Sequence, residues 1–238
     1  MGNRVPTSAM PLLVDSLRNP ERVELMSPVA RTTLEDGRST FYETLLRNLI
    51  HWQPDCLPLR DIDPAFADMR SVCRELEIEG GVIDNLLVNP SGQLCVLDCK
   101  PKQDHEAAAK IVKEVLGYAT ALKGMGYDAL VAATKRTKDA GEDDPLAASA
   151  LGAGASKEQC GKLRQQIERR LKEGRILLVL AGERIVPGSD KLSEALKSKA
   201  SMPLTFGLVD MAIYGSKAGA PYVIQPRLVA KGRIDGAG

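Results

Sequence analysis

The sequence has few of the side chains from which zinc sites are built. It contains two histidines and five cysteines among 238 residues, and no two cysteines form a C-x-x-C pair. The cysteines are Cys56, Cys73, Cys95, Cys99 and Cys160. Since structural zinc sites use four Cys or His ligands at short spacings, a zinc site has little support. The odd number of cysteines, in a sequence that does not start with a signal peptide, predicts a reducing cytoplasm.

Long apolar runs and a net charge are also missing. No run of about 18–20 apolar residues indicates a membrane-spanning helix, so no membrane partner is expected. The formal net charge is +1, so any contact with nucleic acid must come from a local basic patch. No glycine-rich phosphate loop supports a nucleotide-handling enzyme. The composition, 44% hydrophobic and 26% charged, is typical of a soluble globular protein with a buried core.

What the chain does contain is a dense set of acidic and basic residues in a predicted β-meander. Short runs of alternating character predict three consecutive strands, at Ser71–Glu79, Val82–Asn89 and Gln93–Lys100. Pro90-Ser91-Gly92 forms a three-residue hairpin loop, with Gly at the position that needs a left-handed backbone. An apolar stripe then predicts a helix over 104–123.

The hairpin loop predicts which side chains face each other. With Asn89 opposite Gln93, Asp84 falls opposite Asp98, and Lys100 projects from the same face as Asp98. Two carboxylates whose Cβ atoms are about 4.5–5.5 Å apart destabilise a sheet, so a cation is expected between them. Oxygen ligands in this arrangement suit Mg²⁺, which binds one or two carboxylates and keeps waters for a phosphate substrate. The alternative is a structural cluster in which Lys100 neutralises both aspartates.

These residues resemble a known family. The order is Gly81-Val82-Ile83-Asp84, a hairpin, Asp98-Cys99-Lys100, and a helix that contains Glu114 and Tyr118. This pattern resembles the PD-(D/E)xK nuclease superfamily, which has the restriction-endonuclease-like fold, and the likeness extends over roughly residues 43–134. Two positions depart from the family pattern: Ile83 replaces its proline, and Glu114 stands where the exonuclease-like branch has Gln.

The resemblance implies metal-dependent hydrolysis of DNA phosphodiester bonds, with Mg²⁺ or Mn²⁺ as the cofactor. Asp84, Asp98 and the backbone carbonyl of Cys99 would hold the ion, which lowers the pKa of a bound water. Lys100 would orient that water or stabilise the developing charge. Asp84, Asp98 and Lys100 are therefore the candidate catalytic residues.

Further site residues have two interpretations each. Glu43, in a helix predicted over 39–51, is a candidate metal ligand by the resemblance, but Thr40-x-x-Glu43 is also a capping box. Glu114 and Tyr118 are accessory candidates, or an ordinary surface pair one helical turn apart. Glu79 is a third accessory candidate, or part of a solvated strand face.

Contacts with DNA are expected from basic residues near the motif and in the basic helix Lys157–Glu173. The candidates are Lys102, Lys110 and Arg169. The alternative for Arg169 is a solvated helix face. RNA stays an alternative substrate, and a homodimer is compatible with the sequence. The competing function is a non-catalytic nucleic-acid-binding or interaction module that keeps the nuclease fold, and binding of a divalent metal separates the two.

Composition divides the chain into segments 1–38, 39–134, 135–156 and 157–238. The first predicts a short helix around Leu12–Leu17. The second is the nuclease-like core, an α/β unit of order αβββαβ with a central mixed sheet flanked by helices, closed by a strand at Tyr127–Ala133. The third is charged and then rich in Gly and Ala, which predicts a flexible linker or insertion. The fourth predicts a C-terminal αβαββ extension that packs on the core.

The extension contains an echo of the core motif. Gly207-Leu208-Val209-Asp210 resembles the G-x-x-D of the first hairpin, and Gln225 and Arg227 stand in place of the D-x-K pair. One hypothesis is a decayed second copy of the hairpin. The other is coincidence, because short G-x-x-D hairpins recur freely.

Overall fold

A computed structural model gives the fold of most of the chain. It describes residues 11–14, 23–29, 40–100, 107–139, 141–182, 189–199, 202–217 and 221–235. The strands there are β1 Leu12–Val14, β2 Val23–Leu25, β3 Ser27–Pro28, β4 Arg70–Ile78, β5 Gly81–Val88, β6 Leu94–Lys100, β7 Leu177–Gly182, β8 Pro203–Gly215 and β9 Tyr222–Asp235. The α-helices are α1 Thr40–Trp52, α2 Leu59–Ile62, α3 Ala107–Gly124, α4 Tyr127–Thr134, α5 Pro145–Leu151, α6 Lys157–Glu173 and α7 Ser189–Lys199.

The centre of the fold is a mixed sheet of seven strands in the order β3-β8-β7-β6-β5-β4, with β9 also paired to β8. The three strands of the meander, β4, β5 and β6, are antiparallel. β7 and β8 continue the sheet parallel to β6, and β9 returns antiparallel to β8. The predicted mixed sheet flanked by helices is therefore confirmed.

Helices cover both faces of the sheet. One face packs against α1, whose buried Tyr42, Leu46 and Ile50 recur every fourth residue along one stripe, and against α2. The other face packs against α3 to α7. β6 shows how the strands serve both layers: Leu94 and Val96 face α3, whereas Cys95 and Leu97 face α1. No helix of the described residues is long and apolar enough to cross a membrane.

The strand predicted at Tyr127–Ala133 is wrong, because this segment forms helix α4. Tyr127, Leu130 and Thr134 are buried at helical spacing, and four alanine or leucine residues favour the helix. The strand that lies parallel to β6 is instead β7, which follows α4 and two further helices, α5 and α6.

The segment 135–156, predicted to be a flexible linker or an insertion, contains a packed helix in the residues that the structure describes. Helix α5 begins after Asp144, whose side chain accepts a hydrogen bond from the Ala147 N–H, with Pro145 at the first helical position. Leu146 and Ala150 are buried in the core shared with α3. Small alanine side chains, which suggested a linker, allow this helix to pack closely.

Two expectations for the ends of the chain need correction. Leu12–Val14, predicted to start a short helix, is a strand paired with β2, and 15–17 lie outside the described residues. The C-terminal extension has the predicted order αβαββ, but β7 and β8 are interior strands of the main sheet rather than an addition to a finished core.

The hypothesis of a decayed second hairpin conflicts with the register of β8 and β9. Asp210 pairs with Arg227, and Gln225 pairs with Ala212. A copy of the first hairpin would place Gln225 opposite Asp210. The two hairpins therefore differ in register, and the similarity of their sequences is coincidental.

Candidate functional site

The candidate residues gather at the carboxyl end of β6, where the β5–β6 ladder opens. The ladder pairs Asn85 with Leu97 and Val88 with Leu94, which confirms the predicted register of this hairpin. The next pair along, Asp84 and Asp98, does not join the ladder. Instead the Asp84 side chain turns toward β6, and its Oδ2 accepts a hydrogen bond of 2.6 Å from the Cys99 N–H.

The other side of Asp84 is opened by Glu75 on β4. Glu75 has a φ of 51°, a left-handed conformation that is uncommon for a residue with a side chain. The β4–β5 pairs continue on either side of this residue, at Arg74–Asn85 and Leu76–Ile83. Asp84 is thus released from both ladders in the fully described range 70–100, which leaves its carboxylate available for other contacts.

Helix α1 supplies a cation to Asp84. Arg47 Nε and Nη2 each lie 3.0 Å from Asp84 Oδ1, and its Nη1 lies 2.5 Å from Glu75 Oε1. The Asn85 Nδ2 donates to the backbone oxygen of Arg47 at 3.0 Å, which fixes α1 against β5. Burial raises the pKa of Asp84, although the Cys99 N–H and Arg47 oppose this shift.

Asp98 is the most deeply placed carboxylate of the site, with 2% of its surface exposed. Lys100 Nζ lies 3.1 Å from its Oδ1. Its Oδ2 is buried and has no hydrogen-bond partner among the described residues; Asn85 Oδ1 is the second such side-chain oxygen. Burial raises the pKa of Asp98 to about 7, which Lys100 only partly offsets and the neighbouring Asp84 increases. An ionised oxygen without a partner is more costly to bury than a neutral amide.

Lys100 bridges β6 and α3. Its Nζ lies 3.1 Å from Glu114 Oε2 as well as 3.1 Å from Asp98 Oδ1. Burial opposes the charge on Lys100, but Asp98 and Glu114 hold its pKa above the usual value. The Tyr118 hydroxyl donates to Glu114 Oε1 at 2.8 Å. Both helix residues predicted as accessory thus contact the site, and a carboxylate at position 114 has a physical role as a second partner of Lys100.

The two remaining candidate ligands lie beside these residues. Cys99 is in the parallel ladder opposite Ala181, and its thiol is buried on the α1 side of the sheet. Glu43 lies one turn before Arg47 on α1 and is close enough to help raise the pKa of the Cys99 thiol, after burial and the two aspartates. Glu43 therefore faces the end of β6. The Thr40 side chain, its partner in the alternative capping box, lies outside the described residues.

Other candidates are not brought to the site. Glu79 is exposed and lines a separate cleft of about 780 Å³ between the β4–β5 turn and α3, with Lys113 and Arg136 among its walls. Lys110 is exposed on α3, one turn before Glu114. Lys102 lies outside the described residues.

Arg169, a predicted DNA contact, lies at the end of the sheet opposite Lys100. On the same helix, α6, Gln166 and Ile167 pack against Gly92 in the β5–β6 hairpin loop. This loop precedes β6, whereas Lys100 ends it. Arg169 is exposed and bonds to Gln166, at the end of the sheet away from Asp98.

Arg47 is the site residue that the sequence reasoning missed. It stands four residues after Glu43, so a helix that directs Glu43 at the end of β6 directs Arg47 there as well. The four-residue spacing from Glu43 could therefore have identified Arg47 as a site residue from the sequence.

The residues present match the ligands of a hard divalent cation in two respects. Asp98 offers a buried oxygen with no other partner, and a second carboxylate, Asp84, lies close enough to raise its pKa. Mg²⁺ requires only one or two carboxylates when water and substrate complete its shell. No group of three or more His, Cys, Asp or Glu side chains suited to a metal occurs in the described part of the chain.

Comparisons with known proteins add little. No family model matches the chain, and no curated protein matches it significantly. Among solved structures, that of Pyrococcus furiosus SfsA in complex with Ca²⁺ is similar at 12% identity and a TM-score of 0.34, over 92% of this chain and 79% of that one. The Ca²⁺ is bound by that protein.

Proposed function

We propose that this chain is a metal-dependent nuclease of the PD-(D/E)xK type that hydrolyses phosphodiester bonds of DNA. The observation that carries the proposal is the unpartnered Oδ2 of buried Asp98, with Lys100 on its other oxygen. A buried carboxylate with an empty acceptor position and a raised pKa is expected where a ligand completes the site.

The arrangement of elements supports the same proposal. α1, the β4–β5–β6 meander and α3 follow one another, and a strand parallel to β6 lies beside it. This is the arrangement that the restriction-endonuclease-like fold implies, except that α4, α5 and α6 are inserted before β7. Glu43 and Arg47 from α1, and Glu114 and Tyr118 from α3, meet the strand residues from both faces of the sheet.

In this proposal Asp84 and Asp98 hold Mg²⁺ or Mn²⁺, with Glu43 and the Cys99 carbonyl as further candidate ligands. The bound ion supplies a Lewis acid and a more acidic water. Lys100 lies on the Asp98 carboxylate and is held charged by Glu114, so it is placed to stabilise negative charge that develops on a phosphate. Arg47 orients Asp84 through two nitrogen contacts to one oxygen.

A non-catalytic nucleic-acid-binding or interaction module is the second candidate function. It is favoured by the ion pairs within the site, because Arg47 already neutralises Asp84 and Lys100 already neutralises Asp98. A cluster that is balanced in this way persists without a metal.

The test is cleavage of linear and circular DNA, single- and double-stranded, with Mg²⁺, with Mn²⁺ and with chelator. Asp98→Ala and Lys100→Ala are compared with Lys162→Ala, which removes an exposed lysine of α6. The expected result is metal-dependent cutting by the wild type and by Lys162→Ala, lost in the two site variants. RNA in the same assay decides between the two nucleic acids.

Cleavage that persists in Asp98→Ala or Lys100→Ala, with chelator-sensitive activity, rejects the proposed site. Absence of cutting by the wild type, together with no Mn²⁺ binding by calorimetry, favours the binding module. Calorimetry on the Asp98→Ala variant adds a second readout, because loss of Mn²⁺ binding there places the ion at this carboxylate.

A further inference from the structure

A row of residues extends from Lys100 across the sheet to a second buried ion pair. Lys100 is the register partner of Gly182, Gly182 of Asp210, and Asp210 of Arg227. Side chains of register partners project from the same face of a sheet. Leu208, two residues before Asp210, packs with the helices of the α3 side, so the whole row faces that side.

Arg227 therefore lies on the same face and at the same level as the candidate catalytic lysine. Neighbouring strands are about 4.8 Å apart, so three steps separate Lys100 from Arg227 by about 14 Å. Gly182, which has no side chain, lies next to Lys100 in this row.

The Asp210–Arg227 pair has one buried and one accessible member. The Asp210 side chain is 3% exposed, and that of Arg227 is 32% exposed. Arg227 Nη2 donates to Asp210 Oδ2. Arg227 forms no other hydrogen bond or ion pair with the described residues. A guanidinium carries five N–H donors, so most of its donors stay available.

Stability alone does not account for this pair. An ion pair buried between strands is commonly no more stabilising than apolar residues of the same size. A buried carboxylate that fixes one edge of a guanidinium does have a use, because it leaves the opposite edge directed outward in a defined orientation. Phosphate is the group that such a fork binds best, through two parallel hydrogen bonds.

We infer that Arg227, oriented by Asp210, binds a backbone phosphate of the DNA that is cut at Lys100. This inference rests on the proposed nuclease function and names a contact on the same substrate. A duplex carries a phosphate per strand for about every 3.4 Å of its axis, so a separation of about 14 Å corresponds to roughly four nucleotides. Arg227 is a positioning residue, because it lies outside the reacting group.

The same strand provides a matched control. Arg233 also pairs with an aspartate, Asp235, at 3.1 Å, and its side chain is 65% exposed. Its register partner is Thr205, which pairs in turn with Leu177 at the start of β7. Arg233 thus lies at the opposite end of the sheet from Lys100, with similar chemistry and no expected DNA contact.

The experiment measures binding of a fluorescent DNA duplex about two helical turns long by anisotropy, in chelator, at salt concentrations from about 50 to 200 mM. Arg227→Gln is expected to weaken binding about tenfold and to reduce the slope of log K against log salt by about 0.9. Arg227→Lys keeps the charge, so it is expected to retain the slope and lose part of the affinity. Asp210→Asn tests the orienting role in the same way.

Arg233→Gln is expected to change neither the affinity nor the slope. An Arg227→Gln variant with wild-type affinity and slope overturns the inference. If thermal unfolding shows that Arg227→Gln is not folded, the Arg227→Lys variant is used in its place. An affinity of Arg227→Lys equal to that of the wild type overturns the bidentate contact.

Chelator separates this test from that of the nuclease, since binding is measured without cutting. If cleavage depends on Asp98 and Arg227→Gln binds DNA as the wild type does, the nuclease proposal stands and the proposed Arg227 contact is rejected. Binding that depends on Arg227 without any cleavage supports the contact and rejects the nuclease. A wild type that binds no DNA in chelator overturns the Arg227 contact, and the cleavage assay with metal decides the nuclease separately.

Discussion

Asp98 and Asp139 are both carboxylates held beside a cation on the meander, yet their surroundings differ in one respect. Asp139 Oδ1 accepts from Arg74 Nη2 at 2.5 Å, and its Oδ2 accepts from the Arg74 backbone N–H at 2.7 Å and from Nε at 3.1 Å. Burial raises the pKa of Asp139, but these bonds outweigh it and hold the pKa below the usual value. Asp98 has a partner on one oxygen only, and its pKa rises to about 7.

The difference concerns Asp98 alone, because Asp84 resembles Asp139 in having a partner on both oxygens. A salt bridge is present in both cases, so the presence of a cation does not distinguish them. What distinguishes Asp98 from Asp139 is that its Oδ2 has no partner among the described residues, whereas both oxygens of Asp139 accept hydrogen bonds. Asp139 is complete and ties the segment after α4 to β4, whereas Asp98 is incomplete and is expected to find its missing partner in a ligand.

The largest expected effect is on catalysis. If the proposed function holds, Asp98→Asn should lower the rate of metal-dependent DNA cleavage by at least about 10³-fold, because it removes a charged ligand from the proposed metal site. Asp139→Asn should leave the rate within about twofold at temperatures where the variant is folded. Single-turnover cleavage with saturating Mg²⁺ measures both.

Asp139→Asn serves as the control, since it neutralises a half-buried, paired aspartate of the same protein. A loss of activity in Asp139→Asn as large as that in Asp98→Asn, with folding intact, would contradict the distinction between the two carboxylates.

Stability should change in the opposite sense. Asp139→Asn removes charge from three hydrogen bonds and is expected to lower the free energy of unfolding by about 1–3 kcal/mol. Asp98→Asn relieves a buried charge, and in chelator at pH 8 it should raise that free energy by about 1–2 kcal/mol. Urea unfolding followed by circular dichroism measures both, and a destabilised Asp98→Asn variant would show that Asp98 has a structural role.

The pH dependence of the metal-free chain tests the same contrast. The pKa of Asp98 rises from 3.8 to about 7 on folding, so between about pH 4 and 7 the folded state retains a proton that the unfolded chain has lost. Its contribution therefore makes stability fall as pH rises through this interval, and the penalty is complete above about pH 7. Asp139, with a lowered pKa, contributes stability that is lost as pH falls below about 4.

Urea unfolding in chelator at intervals of pH measures these contributions. Asp98→Asn should flatten the curve above about pH 4, and Asp139→Asn should flatten it on the acid side. A wild type and an Asp98→Asn variant with parallel curves from pH 4 to 8 would show that Asp98 ionises normally.

Local patterns in the sequence were sufficient to predict the β4–β5–β6 meander and the helices α1 and α3 that flank it. Alternation and the loop at Gly92 predicted the register of β5 and β6, because a hairpin loop fixes which residues face each other. The stripe that starts at Ile111 predicted α3, and with it the approach of Glu114 to the end of β6. These inferences depend on contacts close along the chain.

The failures depend on contacts that are distant along the chain. The segment at 127–133 carries apolar residues that suit a buried strand or a buried helix, and only the packing of α4 on β4 and α6 decides between them. Asp139 meets Arg74 across 65 residues, so the charged segment after α4 seemed free in the sequence. The row from Lys100 to Arg227 exists only because β7 and β8 lie between them.

The smallest expected effect concerns Tyr118, whose hydroxyl holds the Glu114 partner of Lys100. Burial and the bond to Glu114 raise the pKa of this phenol, so it stays a neutral donor across the neutral range. Tyr118→Phe keeps the ring that packs against Gly81 and removes only this hydrogen bond. The expected result is a loss of about 1 kcal/mol in the free energy of unfolding and a decrease in cleavage of less than about tenfold.

Tyr127→Phe is the matched control for this variant, because the Tyr127 hydroxyl bonds to Asp144 at 2.8 Å in contacts between α4 and the start of α5, away from Lys100. It should lose a similar amount of stability, measured by urea unfolding, and none of the cleavage rate. Equal rates for Tyr118→Phe and Tyr127→Phe would mean that Lys100 keeps its position without the Glu114–Tyr118 bond. A decrease of more than about 10²-fold in the cleavage rate of Tyr118→Phe would mean that the hydroxyl contacts the substrate itself. A hydrogen bond that only positions Glu114 affects catalysis indirectly, through Glu114 and then Lys100, and is expected to have a smaller effect.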